Sequence, residues 1–243
     1  MKRKKPEDYE IFVKIALLLL MLVSVCFMIR GGRKLVSSVL SDEVETSKEK
    51  PCVVIDAGHG GKDPGKVSVD GSLEKDINLQ IALKLQKFLE QQDVDVILTR
   101  DSDMGLYDEN ASNKKVQDMK NRVALIEENR PDLVVSIHQN SYHEEYVHGA
   151  QVFYYASSEK SKELAERIQQ VMALELDRDN ARQAKANDSY YLLKKTSAPI
   201  VIVECGFLSN YEDAQKLSSD LYQEKVAWAS HLAVMQWLNG SSK

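Results

Sequence analysis

Three residues with metal-binding or acid–base side chains follow short apolar runs in this 243-residue chain. His59 lies just past the run CVVID, His138 directly follows LVVSI, and Glu204 directly follows PIVIV. Imidazole nitrogens are common ligands of Zn²⁺, and a carboxylate beside an attacking water can accept its proton. If the three runs are neighbouring parallel strands, the residues meet at one edge of the sheet. The pattern therefore indicates a hydrolytic metal site.

A third ligand is needed to complete such a site, because catalytic Zn²⁺ commonly has three protein ligands and an open position for water. The chain has no H-E-x-x-H motif, so the ligands must come from separate loops. The segment GSLEKD offers carboxylates close to His59. Spacing alone does not distinguish Glu74 from Asp63, Asp70 or Asp76.

The glycine-rich loop that holds His59 has one competing interpretation. Residues 60–67 read G-x-x-x-x-G-K-V, which lacks the final Ser or Thr that binds Mg²⁺ in a phosphate-binding loop. Pro64 also removes a backbone N–H that such a loop would offer to phosphate. A nucleoside triphosphate site is therefore disfavoured.

Two further residues are candidates at the same edge. Asn140, two residues past His138, is a candidate substrate-binding residue. Asp63 is a candidate hydrogen-bond partner that orients His59. Arg100 directly follows a predicted strand; its guanidinium could meet a peptide carboxylate, but a structural ion pair is the expected role.

The remaining histidines are not expected to take part in chemistry. His143 and His148 lie in a polar loop and are expected to face solvent. His231 lies in the last predicted helix near two tryptophans and is expected to be structural.

The elements that must position these residues are short apolar runs that alternate with longer segments of amphipathic helical periodicity. Such alternation predicts an α/β fold with a mostly parallel sheet flanked by helices on both faces. Strands are predicted at 52–56, 93–99, 132–137, 150–155 and 199–204; helices at 77–92, 116–130, 161–176 and within 211–238; and a loop at 100–115.

Composition narrows the class of protein. Hydrophobic residues make up 43% and charged residues 28%, which is typical of a globular domain rather than a disordered chain. The net charge is −5 and there is no basic stripe with interleaved aromatics, so no nucleic-acid partner is expected. Cys52 and Cys205 fall at opposite ends of their strands, too far apart to bond, and are predicted to be free thiols.

The amino terminus differs from the rest. Residues 1–10 are basic, and residues 11–29 form an apolar run that would be about 28 Å long as a helix. No clear cleavage site follows, which favours a membrane anchor over a cleaved signal, with the remainder exported. Residues 30–50 are predicted to be a linker and 51–240 a catalytic domain.

Six segments, in order and covering essentially residues 51–238, resemble the zinc-dependent N-acetylmuramoyl-L-alanine amidases, which cleave peptidoglycan with a compact α/β domain. The segments are IDAGHGGKDPG (55–65), EKDINLQIALKLQKFL (74–89), VILTR (96–100), NRVALIEENRPDLVVSIHQNS (121–141), GAQVFYY (149–155) and PIVIVECGFLSN (199–210). The resemblance implies one Zn²⁺ per chain, held by His59, Glu74 and His138, with Glu204 as the catalytic residue. It thus selects Glu74 among the carboxylates that spacing left open.

The resemblance also implies a substrate. The bond cleaved would join N-acetylmuramic acid to the L-alanine of the stem peptide, and the exported single-domain layout is similar to sporulation-associated amidases that act on the spore cortex. Gln139 and Lys194 depart from the residues common in the family. The alternatives are a catalytically silent peptidoglycan-binding or regulatory domain and a zinc peptidase acting on another amide; an activating protein partner stays open.

Overall fold

The computed structural model describes residues 17–21, which are helical, and residues 50–240. Residues from Lys50 onward form one compact unit. The predicted basic segment 1–10, most of the apolar segment 11–29 and all but the last residue of the linker 30–50 lie outside the described residues. Within the part of the chain that is described, no helix combines the length and apolar character needed to cross a bilayer.

Residues 50–240 contain six strands and six helices, joined by loops. The strands are β1 (Cys52–Ala57), β2 (Asp95–Leu98), β3 (Leu133–Asn140), β4 (Gln151–Tyr154), β5 (Lys185–Ala186) and β6 (Ile200–Phe207). The helices are α1 (Glu74–Glu90), α2 (Lys114–Asn129), α3 (Glu159–Glu175), α4 (Tyr191–Lys195), α5 (Tyr211–Leu217) and α6 (Asp220–Gly240).

All the strands form one sheet in the order β2-β1-β3-β6-β4-β5. β1 pairs in parallel with β2 and β3, and β3 pairs in parallel with β6. β4 runs antiparallel to β6, and β5 runs parallel to β4. The prediction of a mostly parallel sheet is therefore confirmed, and the site strands β1, β3 and β6 are neighbours with their carboxyl ends at one edge.

Helices cover both faces of this sheet, as predicted. Alternate residues of β1 belong to different clusters: Val53 packs with buried residues of α1, α3 and α6, whereas Val54 packs with those of α2 and α4. Because side chains of a strand alternate between its two faces, the two clusters are the two layers of the core. The near-continuous apolar character of β1, β3 and β6 follows from burial on both faces.

The element boundaries differ from the predictions in an informative way. α1 begins at Glu74, three residues before the predicted start, and no side chain caps it. Its first turn is acidic, which is favourable beside the positive end of the helix dipole. β2 begins only at Asp95, because Asp93 adopts a left-handed backbone (φ 60°) that turns the chain out of α1. The short elements β5 and α4 were not predicted.

Both cysteines among residues 50–240 are free, as predicted. Cys52 is half-buried and Cys205 is buried. Burial raises the pKa of each thiol, that of Cys205 most strongly, so neither is activated as a nucleophile.

Candidate metal centre

Two histidines and one glutamate converge near the carboxyl ends of β1 and β3: His59 lies two residues past β1, His138 lies within β3, and Glu74 is the first residue of α1. One donor atom from each of His59, Glu74 and His138 lies within 4.8 Å of the other two. Glu74 Oε1 lies 3.2 Å from His59 Nε2 and 3.1 Å from His138 Nδ1. Both imidazoles therefore direct a ring nitrogen at the same carboxylate, which is the donor arrangement that a Zn²⁺ ion requires.

Two glycines permit this close approach. A Cβ atom at Gly58 would lie 2.3 Å from the ring of His138, and one at Gly65 would lie 2.5 Å from Glu74 Oε2. Gly65 also has a φ of +68°, in the left-handed region. The glycine-rich loop is thus shaped around the three donor side chains.

Glu74 is held in its ionised form. Its Oε2 accepts a hydrogen bond from the backbone N–H of Lys66 at 2.8 Å, and its Oε1 accepts one from that of Gln139 at 3.1 Å. Burial by itself would raise the pKa of Glu74, but the hydrogen bonds and charges of His138 and His59 outweigh it and hold the pKa well below its usual range. An ionised carboxylate in a buried position is suited to bind a cation.

The two imidazoles differ in their second contacts. His59 Nδ1 lies 3.0 Å from Asp63 Oδ2, so Asp63 takes the orienting position expected of it and leaves Nε2 for the cluster. Burial would lower the pKa of His138, but its hydrogen bond to Glu74 and the nearby carboxylate charges raise it.

Glu204 lies beside this cluster. It is the register partner of His138 across β3 and β6 and is buried, at 6% exposure. Its Oε1 accepts a hydrogen bond from the Tyr190 hydroxyl at 3.3 Å, whereas its Oε2 has no partner among the residues described. Burial raises the pKa of Glu204; the neighbouring charge of Glu74 adds to this, and His138 and Tyr190 oppose it.

A cavity of about 460 Å³ joins these groups. His59, Glu74, His138 and Glu204 all line it, and so does Asn140, whose Oδ1 accepts a hydrogen bond from the backbone N–H of Ser141. The cavity therefore holds every residue that the sequence predicted for the site, including the candidate substrate-binding residue.

The other three carboxylates that spacing left open, Asp63, Asp70 and Asp76, do not belong to the cluster of donor atoms. Asp70 accepts hydrogen bonds from Ser72 and Ser218, and Asp76 is exposed at the start of α1. Of the four carboxylates that spacing left open, only Glu74 joins both histidines in the cluster.

The other histidines do not line the cavity. His143 and His148 are exposed, as expected. His231 is buried against the rings of Phe88 and Trp228, which agrees with a structural role.

The prediction that Arg100 forms a structural ion pair is wrong. Its guanidinium forms no ion pair among the described residues and instead donates to backbone carbonyls, at 2.9 Å to Ala57, 3.0 Å to Gly58 and 2.7 Å to Lys75. The chain bends sharply after β1, so its carbonyls lack strand partners and need a donor. Arg100 therefore braces the loop that carries His59.

Two site residues were missed by sequence reasoning. Asn78 donates to the Gly58 carbonyl at 3.1 Å and lies 3.4 Å from Glu74 Oε1. It was detectable, because it is a polar residue inside the buried stripe of α1. Tyr190 contacts Glu204 but lies in a polar stretch before α4, where no periodicity marks it.

Together, a mostly parallel sheet and a buried glutamate beside a His-Glu-His cluster that could hold a metal ion are the arrangement of a hydrolase. The family model described as N-acetylmuramoyl-L-alanine amidase matches residues 53–236. The chain belongs to this family, and the resemblance drawn from the six segments is confirmed.

Relatives indicate the branch of the family. Over 188 residues, 76% of this chain and 78% of the relative, the sequence is 35% identical to a germination-specific N-acetylmuramoyl-L-alanine amidase of Bacillus subtilis (strain 168). The structure is similar to that of the CwlD amidase from Clostridioides difficile, solved in complex with the GerS lipoprotein, with 40% identity, a TM-score of 0.76, and coverage of 78% of this chain and 99% of that one. It is also similar to AmiC2 of Nostoc punctiforme, with 33% identity, a TM-score of 0.69, and coverage of 78% and 97%.

Proposed function

We propose that the protein is a Zn²⁺-dependent amidase that hydrolyses the bond between the lactyl carbonyl of N-acetylmuramic acid and the L-alanine of the stem peptide. The observation that carries the proposal is the convergence of His59, Glu74 and His138 at one point, with the unpartnered Oε2 of Glu204 in the same cavity. Family membership supports the choice of bond.

The donor set fits zinc. Two imidazoles and a carboxylate are a known catalytic Zn²⁺ set. Glu74 is buried and ionised, and it has no lysine or arginine side chain as a partner among residues 50–240, so it calls for a cation. Zn²⁺ bound by such a set lowers the pKa of a water to about 7 and polarises a carbonyl oxygen. The proposal assigns the three ligands to one ion per chain.

Glu204 is assigned the proton transfers. Its Oε2 accepts a proton from the attacking water and then delivers it to the nitrogen of the departing L-alanine. Burial raises the pKa of Glu204, which suits a group that must hold the proton between these two events. The Tyr190 hydroxyl occupies Oε1 and so leaves Oε2 as the reacting oxygen. Asn140, on the cavity wall, is assigned to contact with the substrate.

The biological setting is proposed from the relatives. Similarity to a germination-specific amidase and to a CwlD amidase favours remodelling of the spore cortex, outside the cytoplasmic membrane. That CwlD structure contains a lipoprotein, so a lipoprotein is the kind of activating partner to test here. Anchoring through residues 11–29 stays a prediction.

Purified protein incubated with peptidoglycan tests the reaction. We expect release of stem peptides with an intact amino-terminal L-alanine, identified by mass, and loss of release when zinc is chelated. Peptides cut at another amide would instead favour the zinc peptidase, and binding without release would favour the silent domain.

Two kinds of variant test the roles of the residues. Glu204→Gln is expected to abolish turnover while retaining stoichiometric zinc, whereas His59→Ala and His138→Ala are expected to lose both. Near-full activity of Glu204→Gln would show that the base is another group.

A further inference from the structure

We propose that Arg122 is a positioning residue of the metal centre, which fixes the backbone of His59 and thereby raises the affinity for the metal. The inference rests on the proposed function, because it concerns the same His-Glu-His cluster. Arg122 lies on α2 and forms no part of the donor set.

The contact is direct and buried. The side chain of Arg122 is 2% exposed. Its Nη2 donates to the backbone carbonyl of His59 at 2.6 Å, and its Nη1 donates to that of Ala57 at 2.9 Å. One guanidinium thus fixes both ends of the two-residue step from β1 to the metal ligand.

His59 needs such a restraint. Its φ is +61°, in the left-handed region that a residue with a Cβ atom rarely adopts. Both flanking residues are glycines, which place little restriction on the chain. A ligand in an unfavourable conformation between two flexible residues relies on outside contacts to hold its ring toward Glu74.

Arg122 is itself held from several sides. Asp56 Oδ1 lies 2.6 Å from its Nη1, and Asp118 Oδ2 lies 2.6 Å from its Nε. Asp56 accepts further hydrogen bonds from the hydroxyls of Thr99 at 2.9 Å and Ser136 at 2.5 Å. These contacts leave the guanidinium no freedom to rotate, so the position of the His59 carbonyl follows from the sheet and α2.

The planar fork of an arginine is required for this arrangement. The contacts to Asp118, Asp56 and the His59 carbonyl use three different nitrogen atoms. A lysine carries the same charge on a single nitrogen and cannot reach all three partners. Arg122→Lys therefore removes the geometry while it keeps the charge near the metal.

The test separates positioning from general stability. We would measure the zinc dissociation constant by chelator competition, the absorption spectrum of the Co²⁺-substituted protein, and the thermal unfolding midpoint without metal. The matched control is Leu164→Ala, a cavity variant in α3, which packs in the core and does not line the site cavity.

Arg122→Lys is expected to raise the zinc dissociation constant about 10–100-fold, as is usual when a partner that orients a ligand is lost. It should also alter the Co²⁺ spectrum. Leu164→Ala should lower the unfolding midpoint and leave zinc affinity and spectrum unchanged. If Arg122→Lys does not fold, Asp118→Ala, which frees Nε of the guanidinium and also the backbone N–H of Leu106, should raise the dissociation constant several-fold.

Zinc affinity within twofold of the unsubstituted protein in the folded Arg122 or Asp118 variant would overturn the inference. This outcome differs from failure of the proposed function, in which the unsubstituted protein itself would bind no zinc.

Discussion

Replacing Asp56 with asparagine should reveal how much the ion pair beneath the metal centre contributes to stability. Asp56 lies at the end of β1, is 1% exposed, and pairs with Arg122 at 2.6 Å. Asp56→Asn keeps the size of the side chain but removes the charge, and it presents an N–H₂ group where one carboxylate oxygen accepted a hydrogen bond.

The magnitude follows from the pKa of Asp56. Burial by itself would raise this pKa, but the charge of Arg122 and the hydrogen bond from Ser136 outweigh it and lower the pKa from 3.8 to about 2. At about 1.4 kcal/mol per pKa unit, this difference is equivalent to roughly 2–3 kcal/mol of the free energy of unfolding. Asp118 still pairs with Arg122 in the variant, so the loss should fall below the roughly 3–5 kcal/mol of an uncompensated buried charge.

The pH dependence has a definite sign. A lowered pKa means that the charge of Asp56 stabilises the fold fully above its unfolded value and that this stabilisation is lost as pH falls through about 2. The difference between the unsubstituted protein and Asp56→Asn should therefore be constant from pH 7 to about 5 and shrink toward pH 3.

Urea unfolding of the metal-free protein at several pH values measures this difference. Asp70→Asn is the control, because the pKa of Asp70 is also about 2 but its carboxylate is exposed and bonded to serine hydroxyls. Solvent screening should keep the cost of that change below about 1 kcal/mol. Equal losses for the two variants, or a loss for Asp56→Asn that does not change toward pH 3, would refute the reasoning.

Three further outcomes are expected. Gly65→Ala should weaken zinc binding at least about tenfold, because the new Cβ atom would press on Glu74. Gly71 also has a positive φ but has open space around it, so Gly71→Ala should cost only about 1–2 kcal/mol of backbone strain and leave zinc affinity unchanged. Equal zinc affinities of the two variants, measured by chelator competition, would contradict this. Tyr190→Phe removes the hydrogen bond that lowers the pKa of Glu204, so the acidic limb of the kcat/KM–pH profile should move to higher pH. On that limb kcat/KM should fall about fivefold. An acidic limb that does not move would show that the Tyr190–Glu204 contact plays no part in catalysis. Removing zinc with a chelator should lower the thermal unfolding midpoint, and stoichiometric zinc should restore it; a midpoint indifferent to zinc would argue against binding to the folded state.

The sequence predicted most of the fold because the strands of this sheet carry a strong local signal. β1, β3 and β6 are buried on both faces, which gives the near-continuous apolar runs expected of strands in a parallel sheet. β5 was missed because two residues have no periodicity to detect. The start of α1 was misplaced because its first turn holds Glu74, a residue placed there by the cluster rather than by the apolar stripe.

The site was predictable where it depends on strand ends and not where it depends on long-range contacts. His138 and Glu204 lie near the carboxyl ends of β3 and β6, and His59 lies two residues past β1, so the parallel topology brings the three residues together. Arg122 lies 63 residues from the carbonyl it binds, and a buried arginine on an amphipathic helix reads in sequence like one that faces solvent. Only the packed structure shows its contacts.

The two edge strands of the sheet are short. β2 at one border has four residues with an exposed aspartate, and β5 at the other has two residues with an exposed lysine. An unpaired edge strand can form backbone hydrogen bonds with a strand of another molecule, and short, charged edge strands discourage this. A protein built this way can be kept at high local concentration with little tendency to join its neighbours strand to strand.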